Sequence, residues 1–478
     1  MTILDSRTRW LALYVLCLAS LMIVLDTTIV NVALPSIRAD LGFSQTSLAW
    51  VVNAYVLTYA GLLLLGGRLG DLFGHRRLFL LGIGLFTAAS LACGLATSET
   101  MLVTARAVQG VGGAVASAVS LSLTMTLFTE TGERAKAMGI FGFVAAGGGS
   151  IGVLLGGVLV DLLDWHWIFL VNLPIGVLVC VLSLRLLPRG SRGTARLDLG
   201  GALTVTAALM LAVYAIVNGN EAGWISAQTL GLLGGSAALL GCFLAIESRV
   251  AAPLMPLALF RLRNVATSNV TGVLWSAAMF ACFFLSALYL QLVLGYDPLH
   301  VGLAFLPGNA IMALFSLGLS AKIVLRFGIK RPLALGLTCV AGALLLLARA
   351  PVDASFALDV LPGMLLIGLG AGIAFNPMLL AAMSDVEPQD SGLASGIVNT
   401  AFMMGGALGL AVLASVASSR TASLRADGHS VAASLTGGYH LAFGVGALFA
   451  LAAAVIAVVR LRVAEAPPAA EAVSVGSV

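Results

Sequence analysis

Asp26 stands inside "LMIVLDTTIVNVALP" (Leu21 to Pro35), an apolar run that begins at Trp10 and meets no other charge until Arg38. A carboxylate in hydrocarbon costs at least ~2.5 kcal/mol on insertion scales, so it calls for a partner, a cavity or a proton. Burial favours the neutral carboxyl, and a group poised between its two forms can exchange a proton with solvent. The charged form attracts a lipophilic cation and the protonated form releases it; competition of that kind is antiport. The alternative is a structural aspartate, satisfied on its own helix by Thr27, Thr28 or Asn31. If Asp26 carries the exchanged proton, Asp26→Asn mimics the protonated form and is expected to insert and fold well, because a neutral amide is cheaper in the bilayer than a carboxylate.

Arg106 is the one basic residue inside a predicted span. It either snorkels to an interface or uses its fixed charge to control the proton of a nearby carboxylate, with Gln109 sharing the hydrogen bonding. An apolar cavity with a few polar groups is expected around the acid. Its candidate lining is Asp26, Asn31, Asn53, Tyr55, Tyr59, Asn172, Tyr289, Gln291, Asn309, Asn376, Asn399 and Met403, and each polar member equally suits a helix–helix hydrogen bond. With one acid in mid-membrane, dications are poor substrates, and monocations or neutral amphiphiles are better ones.

Other chemistries lack their residues. No nucleophile–base constellation appears, so an enzyme is not expected. Five histidines without H-E-x-x-H spacing give no metal site, and "GLGAGIAF" at Gly368 lacks the preceding strand and the following G-K-[ST] of a phosphate loop. No cofactor or nucleic acid is expected; the energy source would be the proton gradient. The six cysteines all fall in apolar spans and suit small buried hydrophobes.

The elements that must position these residues are membrane helices. Of 478 residues 60% are hydrophobic and 10% charged, against about 25% charged in a soluble domain. Fifty-five glycines suit helices that approach closely in lipid. Apolar stretches long enough to span centre near residues 22, 57, 88, 113, 148, 177, 208, 237, 280, 311, 340, 371, 404 and 450, fourteen in all. With the N-terminus inside, the inner segments hold twenty of the twenty-five Lys and Arg residues; the outer ones hold Arg38, Arg349, Arg420 and Arg425. That bias obeys the positive-inside rule and places both termini in the cytoplasm. The first span is too long, and too interrupted by Asp26, for a cleaved signal peptide.

The chain also repeats itself. "FGHRR" (Phe73 to Arg77) echoes "FGIKR" (Phe327 to Arg331), "GVGGA" at Gly110 echoes "GLGAG" at Gly368, and Gly148 and Gly152 echo Gly405 and Gly409, at offsets of 254 to 258. These imply a six-helix half (1–190), a two-helix insert with linkers (191–263), a second six-helix half (264–462) and a disordered cytoplasmic tail (463–478). Repeated halves with a site at their interface are a transporter architecture. The only charges of its two helices lie at their ends (Asp198, Glu221, Glu247), so little share in the cavity is expected of them.

Five motifs in order carry a resemblance: "LDTTIVNVALP", "GGRLGDLFGHRR" (Gly66 to Arg77), "RAVQG" (Arg106 to Gly110), "WHWIFLVNLPIG" (Trp165 to Gly176) and "YLQLVLGYDPLHVGLAFLP" (Tyr289 to Pro307). The chain resembles the fourteen-span drug:proton antiporters of the major facilitator superfamily. The resemblance implies an all-α polytopic fold of two six-helix halves plus two inserted helices. It implies proton-coupled export of amphiphilic drugs or antibiotics by alternating access, from a monomer in the lipid bilayer. A dedicated metabolite exporter, a proton symporter and a non-transporting sensor of the same fold are the alternatives. Arginine far outnumbers lysine, which suggests a bacterial source and hence the bacterial inner (cytoplasmic) membrane.

The resemblance also assigns roles. Gly67, Asp71, Gly74, Arg76 and Arg77 form a conformational latch between the second and third spans, with Gly67 and Gly74 turning the chain and the arginines anchoring it or pairing with acids. Leu72 and His75 stand where the family usually has basic residues, which implies a softer latch. Arg106, Gln109 and Gly110 form the fourth-helix motif. Gly139, Gly148, Gly152, Gly156 and Gly157 match the antiporter glycine frame of the fifth helix, whose proline is replaced here by Val153.

Overall fold

The computed structural model describes residues 5–44, 46–128, 130–188, 198–250, 253, 255, 257–315, 319–386 and 391–462. Among these the regular elements are helices: α1 (Ser6–Leu41), α2 (Trp50–Phe73), α3 (His75–Gly94), α4 (Glu99–Leu127), α5 (Thr131–Leu162), α6 (Trp167–Leu170), α7 (Asn172–Leu186), α8 (Leu199–Ala222), α9 (Ala227–Glu247), α10 (Arg263–Leu292), α11 (Pro298–Leu314), α12 (Ser320–Phe327), α13 (Lys330–Leu347), α14 (Leu361–Met383), α15 (Ser391–Ala426) and α16 (Val431–Arg460). Short 3₁₀ and π turns interleave with them.

Eleven described helices are long and apolar enough to cross a membrane. Shorter apolar stretches at Ser47–Leu63, Ile151–Leu162 and Pro298–Leu314 lie where three further predicted spans fall. Side-chain caps start several helices: Asp5, Ser98, Ser226 and Ser430 each accept a backbone N–H three residues on. Asp297 caps α11 through the His300 amide at 2.7 Å, and that bond holds its carboxyl below the ordinary range.

The internal echoes become physical at the glycines. Gly74 ends α2 at φ 91° and Gly328 ends α12 at φ 76°, the same turn at an offset of 254. A side chain is strained there, so Gly74→Ala should cost about 1–3 kcal/mol; a detergent-solubilised Tm equal to wild type would contradict this. In the first half α3 crosses α4 with Gly82 against Gly112; in the second α13 crosses α14 with Gly336 against Gly370. Gly148 and Gly152 seat α5 on α1, as Gly405 and Gly409 seat α15 on α10.

Besides the direct packing of α2 on α15, two features connect the halves. At the end where α1 finishes, a Cβ on Gly157 of α5 would lie 2.7 Å from the Pro298 carbonyl oxygen of α11, and one on Gly302 would lie 3.0 Å from that of Val153. Gln291 of α10 donates to the Val32 carbonyl of α1 at 3.0 Å in the same region. The second feature is α8, which packs on both α2 and α15. A Cβ on Gly61 would strike Thr206, Trp50 and Tyr214 meet ring to ring at 6.4 Å, and Asn220 donates to the Ser415 carbonyl and hydroxyl oxygens at 2.9 Å. The first inserted helix therefore touches both halves, while α9 is mostly outside it, against α8.

Candidate functional site

Five helices of the first half meet at Asp26. The carboxylate projects from α1, 1% exposed. From α4 come Arg106 and Gln109, three residues apart and so on one helix face. Ser90 comes from α3, Asn172 from the start of α7, and Val51 with Tyr55 from α2. Arg106 and Gln109 are both fully buried.

The bonding is nearly closed. Arg106 Nη1 donates to Asp26 Oδ2 in a salt bridge whose two side chains are 0% exposed. Gln109 Nε2 and Asn172 Nδ2 donate to Asp26 Oδ1 at 2.7 and 3.0 Å. Gln109 Oε1 accepts from Arg106 Nη1 at 2.6 Å, and Gln109 Nε2 also reaches Ser90 Oγ at 2.8 Å. Arg106 Nε donates to the Val51 carbonyl at 2.9 Å. The guanidinium carbon lies 4.4 Å from the Tyr55 ring centroid and 5.5 Å from that of Phe169, a cation–π clamp. Arg106 Nη2, the Tyr55 hydroxyl and both amide atoms of Asn53 are buried without a hydrogen-bond partner among the described residues. Arg106 Nη2 and the Tyr55 hydroxyl are the polar groups of the site with bonding capacity to spare; Asn53 is on the same helix as Tyr55, two residues away.

Several expectations are corrected. Arg106 does not snorkel; it is buried against its acid. Asp26 is not satisfied on its own helix, since Thr27 and Thr28 donate to the carbonyls of Ile23 and of Val24 and Leu25, and Asn31 donates to that of Thr28. Nor does Asp26 line an open cavity in this conformation, because the ion pair and two amides enclose it. Asp26→Asn would now leave a buried guanidinium without its counter-charge, so easy folding no longer follows.

The proposed lining divides. Tyr55, Tyr59 and Asn172 gather near the pair; Tyr59 stacks on Tyr55 at 5.8 Å. The second-half candidates do not join them. Tyr289 donates to the Pro351 carbonyl at 2.6 Å and Gln291 to Val32, so both are helix-fastening groups. Asn309 is buried, Asn376 and Met403 are half-buried, and Asn399 is exposed. Ser90, Phe169 and the Val51 carbonyl were not foreseen. Ser90 also donates to the Phe86 carbonyl one turn back, the habit of any serine in an apolar helix, so its sequence carries no signal.

The latch is only partly as expected. Gly74 is the turn, but Gly67 sits within α2 with open space at its Cβ position, because the helix continues to Phe73. Arg76 donates to the Leu184 carbonyl at the end of α7 and pairs with no acid among the described residues, and Arg77 is exposed. The Asp71 side chain and the surroundings of Gly139 lie outside the described residues. In the fourth-helix motif, Gly110 lets α4 approach α2: a Cβ there would lie 2.4 Å from the Tyr55 carbonyl oxygen. Gly148, Gly152 and Gly156 press α5 on α1, while Gly157 faces α11. With Val153 in place of proline, α5 runs unbroken.

A family model described as Major Facilitator Superfamily matches residues 16–410. The puromycin resistance protein pur8 of Streptomyces alboniger is 41% identical, over 93% of this chain and 90% of that protein. The cephamycin export protein CmcT of Amycolatopsis lactamdurans is 40% identical, over 97% and 95%. Among solved structures, a bacterial homologue of the human lysosomal transporter Spinster, in an inward-facing and occupied conformation, superposes with TM-score 0.70 at 14% identity, over 95% and 97%. The POT family transporter PepTSo gives 0.65 at 14%, over 94% and 97%.

Proposed function

The chain belongs to the major facilitator superfamily, and from that premise we propose that it exports amphiphilic drugs or antibiotics, monocationic or neutral, in exchange for protons through Asp26 and Arg106. It is a multi-pass membrane transporter rather than an enzyme. Relatives named for puromycin resistance and cephamycin export supply the direction and the substrate class.

One observation supports the coupling role most: a carboxylate and a guanidinium, both 0% exposed, paired inside a membrane bundle. In hydrocarbon such a pair costs several kcal/mol per ion in desolvation, and its attraction and hydrogen bonds must offset that cost. Packing alone would be served by apolar residues. Protonation of Asp26 removes the attraction and leaves Arg106 free to turn from Gln109 toward the other groups of the site. In this reading the paired state is the one from which the proton has left. The protonated state breaks the pair and loosens α1 from α4 within the first half; α1 also carries the Val32 carbonyl held by Gln291 of the second half, so the change reaches the contact between the halves. A cationic substrate competes with Arg106 for Asp26; a neutral one engages Tyr55, Asn53 and Asn172.

No cofactor is proposed, and the proton gradient is the energy source. The protein works as a monomer in the cytoplasmic membrane of a bacterium, with both termini inside. Single cysteines at Phe73 and Ser430, both exposed, should label from the inside and the outside respectively; labelling of both from one face would overturn that topology.

The function is tested by accumulation of puromycin and of the monocation tetraphenylphosphonium in a pump-deficient host. Expression should lower accumulation of at least one of them, and a proton uncoupler should restore it. Raised accumulation would indicate a symporter. No change across a wide panel, including cellular metabolites, would leave the sensor reading.

A further inference from the structure

A groove of about 630 Å³ opens between α8, α15 and α16, away from the Asp26 site. This volume is in the range of ligand pockets. Its walls have two characters. Ile216 of α8, Val412 and Val416 of α15 and Leu441 of α16 make an apolar side. Ser419, Arg420 and Ser423 of α15 make a polar rim, and all three are exposed. Among the described residues Arg420 makes no ion pair or hydrogen bond, and it is the charged member of the lining.

The groove is held open by a fixed wall. Asn220 donates twice to Ser415, and the Trp224 indole donates to Asn220 Oδ1 at 3.0 Å. The Trp224 ring is thereby stood at the mouth, half-exposed, one edge polar and one face apolar. Tryptophan is enriched at that level, where headgroups meet acyl chains. Arg420 also lies at a predicted membrane boundary. A cationic, hydroxyl-rich rim over an apolar trough, at the interface, is complementary to one kind of molecule that always surrounds this protein.

We propose that this groove binds an anionic glycerophospholipid, its phosphate on Arg420 with Ser419 and Ser423, and an acyl chain along Ile216, Val412, Val416 and Leu441. Basic pockets between membrane helices recognise such headgroups at the inner face, and at the outer face an arginine engages a phosphate by the same charge-assisted hydrogen bonds. Because α8 touches α2 as well as α15, a lipid here wedges the inserted helix against the second half and steadies the contact of α8 with both halves. The site does not depend on the identity of the exported substrate or on proton coupling.

Purified full-length protein, delipidated in detergent, is titrated with phosphatidylglycerol, phosphatidylcholine or inorganic phosphate and followed by native mass spectrometry and by Tm. Phosphatidylglycerol should be retained with about fivefold preference over phosphatidylcholine, the contribution of one arginine near the surface, and should raise Tm; inorganic phosphate should do neither. Arg420→Gln should abolish the preference, whereas Arg425→Gln, exposed at the same end but outside the groove, should keep it. Val416→Trp, which fills the trough, should lower retention of both lipids. Equal preference in Arg420→Gln and wild type, or a Tm rise with inorganic phosphate alone, would overturn the proposal.

Discussion

Asp26→Asn should abolish uphill efflux and, at the same time, lower stability by about 3–5 kcal/mol, the cost of leaving one member of a buried ion pair without the other. Among the described residues Arg106 has no second acid: its remaining contacts are the Val51 carbonyl, the Gln109 amide oxygen and two aromatic faces. Loss of function alone would therefore be ambiguous. The decisive companion is Asp26→Asn with Arg106→Gln, which removes both charges and keeps hydrogen-bonding groups of similar shape. That double variant should recover most of the lost Tm, because replacing a buried pair by neutral groups is often near neutral, yet recover none of the coupling. The thermodynamic cycle over the four proteins measures the pair directly. If the double variant pumps against a gradient, the pair is structural and the exchanged proton travels elsewhere.

Gly157→Val should lower efflux with normal expression by keeping the halves apart at the end where α5 meets α11. A Cβ at Gly157 would already lie 2.7 Å from the Pro298 backbone oxygen and 3.0 Å from Leu299 Cα, and backbone cannot step aside as a side chain does. Overpacking of this kind costs about 1–3 kcal/mol, which, charged to one conformation only, shifts its population roughly 5- to 150-fold. Spin labels at Leu163 and His300, beside this crossing, should show a longer distance in the variant. An unchanged distance distribution with unchanged efflux would show that the working cycle does not need the halves to close at this crossing.

What was legible in the sequence was what leaves a one-dimensional trace. Apolar length marked the spans, and the "FGHRR" and "FGIKR" pair marked the same positive-φ turn in each half, at Gly74 and Gly328. Asp26 and Arg106 stood out because a charge within a span is rare. Their contact, eighty residues apart, was not legible, because helix order along the chain does not say which faces meet. Asn172 was named without its partner for the same reason. Gly67 was misplaced because a glycine beside a turn looks the same whether it makes the turn or merely extends the helix. The second-half polar residues looked like cavity lining, yet an amide in lipid is as well served by a neighbouring carbonyl, as Gln291 is by Val32. The bridging position of α8 was hidden as well, since its few charges gave no hint that Trp50 and Ser415 lie on either side of it.

The central claim is that Asp26 carries the exchanged proton. It is tested by adding the most strongly exported compound of the panel to purified protein in weakly buffered detergent and following pH with a dye. Wild-type protein should release protons on substrate addition across the range in which it pumps, and the folded Asp26→Asn/Arg106→Gln protein should release none. Undiminished release from that variant would contradict the account and return Asp26 to a structural role.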